Sequence, residues 1–128
     1  MKVAISAVQP QFEGELERRF GRCAYFVVVD AETLEWESIP NPAVEARGGA
    51  GTQAAQFLAN QGVQAVISGD FGPNAYAALE TAGISIYKAQ GGRVNEALEA
   101  LLAEHLERVT SATSAKRHQG GGRGFGRG

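Results

Sequence analysis

The sequence predicts one mixed α/β domain on a five-stranded sheet in the order 3-2-1-4-5, with only strand 2 antiparallel to the rest. Three observations carry this expectation. Three strand-like runs come first, joined by a loop and a turn. Two units that each read helix, glycine, apolar strand follow at one phase, Leu58-Ala-Asn-Gln-Gly62-Val63 and Leu79-Glu-Thr-Ala-Gly83-Ile84. A helix with apolar residues at i, i+3, i+4 and i+7 spacing comes last.

Each element has its own signal. Lys2 to Ala7 is short, β-branched and partly alternating, as expected of a central first strand, and Pro10 and Gly14 make the next stretch a loop. Leu16 and Phe20 form an i, i+4 pair that predicts one or two helical turns before Gly21. Tyr25 to Asp30 is the strongest strand pattern, aromatic and β-branched. Leu34 to Ile39 alternates in the manner of an antiparallel edge strand, and its glutamates Glu35 and Glu37 discourage edge-to-edge pairing. Pro40 and Pro42 end it. The helix that starts near Gly49 buries Ala54, Ala55 and Leu58 and is capped by Gly62; Val63 to Ser68 reads as a buried parallel strand. Pro73 suits the first turn of a second helix, capped by Gly83 and followed by a strand at Ile84 to Tyr87. Val94, Ala97, Leu98, Leu101, Leu102, Leu106 and Val109 predict a final helix through Val109.

Composition narrows the function classes. Four of the twelve basic residues, Lys116, Arg117, Arg123 and Arg127, lie in an acid-free C-terminal stretch; this leaves eight against fourteen acids, so residues 1–109 carry −6 and residues 110–128 carry +4. The expectation is one domain at 1–109 and a flexible Gly/Arg-rich tail at 110–128. An acidic body is a poor general nucleic-acid binder, whereas the tail, with Phe125 among glycines and arginines, is compatible with RNA. No apolar run approaches the roughly 18 residues of a membrane span and no signal-peptide pattern opens the chain, so a cytoplasmic protein is expected. The single cysteine, Cys23, excludes an internal disulfide.

The stretch from Arg47 to Pro73 points to a binding edge. Two glycine-led helix starts, Gly48-Gly49-Ala50-Gly51-Thr52 and Gly69 to Asn74, should face one end of the sheet. Helix N-termini leave backbone N–H groups without intrahelical partners and carry the positive end of the helix dipole, so they receive anions. The expected site borders the switch point between strands 1 and 4. Its candidate residues are Gly48, Gly49, Gly51, Thr52, Gly69, Gly72 and Asn74, with charge from Arg22 and Arg47. Helix capping, tight turns and solvated arginines are the alternative explanation of the same residues.

Other chemistries find less support. This strand order is also that of ribonuclease H-like enzymes, but strand 1 supplies no carboxylate and strand 4 only Asp70 just past its end, too few for two-metal hydrolysis. Gly49 to Ala54 matches a relaxed dinucleotide fingerprint with Asp70 about 20 residues on, yet a proline-bearing loop separates it from the preceding strand, which leaves nucleotide binding as an alternative. Neither Ser6 nor Ser68 sits in a nucleophile elbow. Cys23 could ligate a metal with His105 or His118, or simply pack at the start of a strand.

The ordered motifs Phe20-Gly21-Arg22-Cys23-Ala24-Tyr25-Phe26, Asn41-Pro42, Gly48-Gly49-Ala50-Gly51, Gly62-Val63, Gly69 with Gly72-Pro73, Ala75, Gly83-Ile84 and Val94-Asn95-Glu96-Ala97-Leu98 jointly resemble the dinitrogenase iron-molybdenum cofactor biosynthesis domain family, which is NifX-like and similar to the C-terminal part of NifB. The resemblance spans roughly residues 1 to 105. It implies a three-layer α/β/α ribonuclease H-like fold without nuclease activity. It also implies a non-enzymatic carrier of an iron-sulfur or iron-molybdenum cofactor precursor, working with cluster-assembly or nitrogenase-related proteins. Cys23 stands where the family pattern usually shows a small residue such as alanine, so the resemblance assigns it no ligand role.

Overall fold

The computed structural model describes residues 1–112. Its strands are β1 (Lys2–Ala7), β2 (Tyr25–Asp30), β3 (Trp36–Pro40), β4 (Ala65–Ser68), β5 (Ser85–Lys88) and β6 (Glu107–Arg108); its α-helices are α1 (Ala50–Asn60), α2 (Pro73–Thr81) and α3 (Val94–Leu102). The sheet runs β3-β2-β1-β4-β5-β6. β1, β4 and β5 are mutually parallel, whereas β2 and β6 run against their neighbours. The expected order of five strands is present, and a sixth is added at the β5 edge.

The alternation of side chains along the strands gives the sheet two apolar faces, each covered by helix. Ala4, Val28 and Val66 face α1 and α2. Val3, Ile5, Val27, Val29, Ala65 and Ile67 face α3, which contributes Val94, Ala97, Leu98 and Leu101. Gly62 and Gly83, at φ +77° and +76°, turn the chain out of α1 and α2 in the left-handed conformation that glycine adopts at no steric cost.

Three sequence expectations fail for identifiable reasons. The last helix ends at Leu102 and does not reach Val109. Glu104 adopts φ +62°, its amide donates to the Leu101 carbonyl and the His105 amide donates to the Ala100 carbonyl, a Schellman stop made without glycine. The chain then forms β6 and delivers Val109 to the α1/α2 face, opposite the one α3 covers. Residues 15–19 are extended, not helical: Ala7 bridges Leu16, Glu15 bridges Arg93 and Arg19 bridges Asp70. Leu16 and Phe20 thereby enter opposite cores, and a short 3-10 turn at Phe20–Arg22 follows. β3 starts at Trp36 because Leu34, at φ +66°, belongs to a turn in which the Asp30 carboxylate accepts the Glu32 amide at 2.8 Å.

The non-glycine stop makes a measurable demand on the backbone. Glu104→Gly should raise stability by ~0.5–1 kcal/mol, because it removes left-handed strain at a modest cost in chain entropy. Chemical denaturation checks it; no change in midpoint would show that the Glu104 conformation is unstrained.

Candidate functional site

The C-terminal edge of β1 and β4, where the strand order reverses, is filled by the chain itself. The Ser6 hydroxyl donates to the Glu17 carbonyl at 2.6 Å and lies 2.8 Å from the Ser68 hydroxyl, which reaches the Arg18 carbonyl at 3.2 Å. The Gly69 amide also donates to the Arg18 carbonyl, at 3.1 Å, and a Cβ on Gly69 would stand 3.0 Å from the Arg18 Cα. The crevice expected to admit a ligand between strands 1 and 4 is thus closed by residues 15–19. Gly69 serves this close approach.

The opening lies to the side, on the α1/α2 face of the sheet. A cleft of about 290 Å3 is bounded by Arg19 to Arg22, by Gly49 to Gly51 at the start of α1, and by Asp70 and Gly72 to Ala75 at the start of α2. The two helix starts meet there because neither carries bulk at the contact. A Cβ on Gly51 would come within 2.7 Å of the Ala75 Cβ, and one on Gly21 within 2.8 Å of the Gly51 amide nitrogen. Below the cleft the Phe20 ring packs against Phe26 and Phe71, at centroid distances of 5.6 and 5.5 Å, which anchors the 3-10 turn to the core.

Neither helix start is capped by a side chain. Gly49 caps α1 at φ +72°, where glycine is favoured by backbone geometry. Gly72 caps α2 at φ −70° and ψ 168°, a conformation open to any residue, and a Cβ there would meet nothing within 4 Å. Neither backbone geometry nor packing accounts for glycine at 72. What its absent side chain leaves is room beside the first-turn amides of α2.

Two arginines and one carboxylate of the described residues border the cleft. Arg19 keeps 68% of its side chain exposed and pairs with Glu17 at 3.2 Å. Burial opposes ionisation of Glu17, but hydrogen bonds from the Arg19 amide and guanidinium outweigh it and hold the carboxyl below its usual range. Arg22 lines the cleft while its guanidinium donates to the Val44 and Ala46 carbonyls at 3.1 and 2.8 Å, so it also fixes the loop before α1. Asn41 completes that loop: it is buried, its Nδ2 donates to the Cys23 carbonyl at 2.9 Å and its Oδ1 accepts the Ala43 amide at 2.9 Å. Asp70 is the one carboxylate lining the cleft among the described residues.

The candidates separate on this map. Arg22, Gly49, Gly51, Gly72 and Asn74 line the cleft. Thr52 lines a different groove between α1 and α2, while Arg47 and Gly48 are exposed in the loop leading to the Gly49 cap. Cys23 is fully buried beside Asn41, and burial pushes its thiol up to about 12, the state of a packed cysteine. His118 lies outside the described residues, as does the tail with which RNA binding was associated. Among the described residues no group of three His, Cys, Asp or Glu could hold a metal ion. Sequence reasoning missed Arg19, Gly21 and Asn41 as parts of the site. Only the Phe20-Gly21 break and the Asn41-Pro42 pair marked their neighbourhood.

Two outcomes follow. Gly51→Ala, ordinarily favourable within a helix, should cost about 1–3 kcal/mol in denaturant titration because the added methyl collides with Ala75. Cys23 should react with a thiol reagent at pH 8 on the order of 100-fold more slowly in the native protein than in denaturant. Because folding raises this pKa from 9.0 to about 12, its contribution to stability is complete below pH 9 and is lost as pH rises towards 12. A fast native reaction would contradict the buried thiol.

A model of the family described as "Dinitrogenase iron-molybdenum cofactor" matches residues 1–104. An uncharacterised protein of Methanocaldococcus jannaschii is 36% identical over 111 residues, 84% of this chain and 91% of its own length. Among solved structures, the apo form of the orange protein from Desulfovibrio gigas aligns with a TM-score of 0.86 at 35% identity, over 88% of this chain and 96% of its own. A putative NifB protein from Thermotoga aligns at 0.78 and 34% identity over the same shares.

Proposed function

The chain belongs to the dinitrogenase iron-molybdenum cofactor family, and from that premise we propose that it is a non-enzymatic carrier of an anionic iron-sulfur or iron-molybdenum cofactor precursor. The observation that carries the reading is the convergence of two helix starts without side-chain caps on one cleft, with open space at Gly72 and Arg19 and Arg22 at the rim. A cargo that brings its own sulfide or thiolate ligands needs hydrogen-bond donors and positive potential, not protein thiolates. The donor set suits that cargo: first-turn amides of Gly51 and Ala75 with arginine at the rim, and a cysteine too buried to serve as a ligand.

The size and setting of the cleft favour a compact anion over a dinucleotide. Its volume lies at the low end for small-molecule sites. Residues 41–49 separate β3 from α1, so the Gly49 to Ala54 pattern does not follow a strand directly as a dinucleotide turn must. The family and the orange-protein likeness support cargo binding over catalysis. Cytoplasmic work with cluster-assembly or nitrogenase-related partners is part of the same proposal. Among the described residues no helix is long and apolar enough to cross a membrane.

Gly72→Asp separates binding from folding, because aspartate is a good helix cap whose carboxylate would occupy the anion's place. Under anaerobic conditions the unaltered chain should retain visible absorption after incubation with tetrathiomolybdate or an iron-sulfur donor and gel filtration. Gly72→Asp should keep its thermal midpoint and lose at least tenfold in retention. Equal retention by a folded Gly72→Asp chain would place any cargo elsewhere, and no retention by the unaltered chain would remove the carrier reading.

A further inference from the structure

The end of the sheet opposite the cleft carries a second surface, built on β3. Among the described residues that strand pairs with β2 on one side and with no strand on the other. The Asp30 amide donates to the Glu35 carbonyl at 2.9 Å and the Asn41 amide to the Ala24 carbonyl at 3.0 Å, so alternation turns the Glu37 and Ile39 peptide groups inwards to β2. The peptide groups of Trp36 and Ser38 therefore point away from the sheet, each with an N–H and a carbonyl. Pro40 ends the row because it has no N–H.

The two faces of this edge differ. Glu35 and Glu37 lie on the α1 side, since Glu37 pairs with Val28 of the α1/α2 core. With Asp30 and Val28 they line a groove of about 510 Å3 that reaches Gly62 at the end of α1. Among the described residues neither glutamate forms an ion pair. Lys2, the one basic side chain lining the groove among those residues, is drawn off to the end of α1, where its Nζ donates to the Gln61 carbonyl at 2.7 Å. On the α3 side Trp36 pairs with Val29 of the other core and stacks on Phe12 at a centroid distance of 5.7 Å, yet stays 43% exposed.

From these two faces we infer that β3 receives an extended segment of another protein in which basic residues alternate with apolar ones. An added strand bonds to the outward peptide groups of Trp36 and Ser38 and sends successive side chains to opposite faces. Basic residues then stand across from Glu35 and Glu37, at the roughly 5 Å separation of cross-strand neighbours, and apolar residues stand across from Trp36. Charge and pattern together select this partner. Another copy of β3 would set glutamate against glutamate on the α1 side, and a uniformly basic segment would leave the exposed indole uncovered. The groove and the cleft share no lining residue, so an occupied edge leaves both helix starts open.

Trp36 is the single tryptophan of the chain, so its fluorescence reports on the edge directly. The probe is the end-blocked peptide Lys-Val-Lys-Val-Lys-Val, added to the full chain in low salt. It should shift Trp36 emission saturably and slow hydrogen exchange at the Trp36 and Ser38 amides on the order of tenfold. The isomer Lys-Lys-Lys-Val-Val-Val, with the same composition and no alternation, should bind about tenfold more weakly. Glu35→Lys with Glu37→Lys should keep the thermal midpoint, lose the basic probe and accept Glu-Val-Glu-Val-Glu-Val in its place. No shift in millimolar peptide would overturn the inference, as would equal binding of the two isomers, which marks charge attraction without an added strand. So would a folded charge-reversed chain that fails to exchange its preference, or protection that grows with protein concentration in the absence of peptide, which gives the edge to a second copy.

Discussion

The arrangement rests on a contact from which side chains have been removed. Gly21, Gly51 and Ala75 bring the 3-10 turn, the start of α1 and the start of α2 together at distances that leave no room for a further Cβ. Larger residues would push the helices apart, and the two sets of first-turn amides would no longer share one cleft. The aromatic trio of Phe20, Phe26 and Phe71 fixes this assembly from below. Arg22 and Asn41 tie the loop before α1 to it from the side. Packing density here determines electrostatics, because the direction in which helix dipoles point is set by how closely the helices can approach.

The charges are arranged in opposition along the molecule. The body is acidic overall, yet Arg19 and Arg22 line the cleft with one carboxylate, Asp70, among the described residues there. Asp30, Glu35 and Glu37 gather at the other end, beside the edge strand. Net charge alone argues against the anion site proposed above. The local field near a helix start is governed by the nearest groups, and beyond roughly a Debye length the remaining acids count for little.

Most of the sheet was legible because its signals are local. Runs such as Tyr25 to Asp30 specify strands, and Gly62 and Gly83 announce helix ends because the left-handed turn they make is cheap only for glycine. Glu104 makes the same kind of turn without that signal, so the end of α3 and the sixth strand could not be read from the sequence. Leu16 and Phe20 have helical spacing, but they serve two cores on opposite sides of a sheet, a distinction that exists only after folding. For the cleft, glycine positions were informative and side-chain roles were not. Gly49, Gly51 and Gly72 stand out in the chain. The importance of Arg19 and Asn41 depends on partners far away in sequence or on a fold not yet formed.

The plug formed by residues 15–19 has a consequence for traffic. With the customary crevice closed by the chain's own backbone, a guest carried as proposed would sit on the flank of the molecule, in a shallow seat walled by helix ends and a short turn. It would not be enclosed beneath a lid. A recipient protein could then touch the guest while the donor still holds it, and handover would require two surfaces to meet without either one having to open.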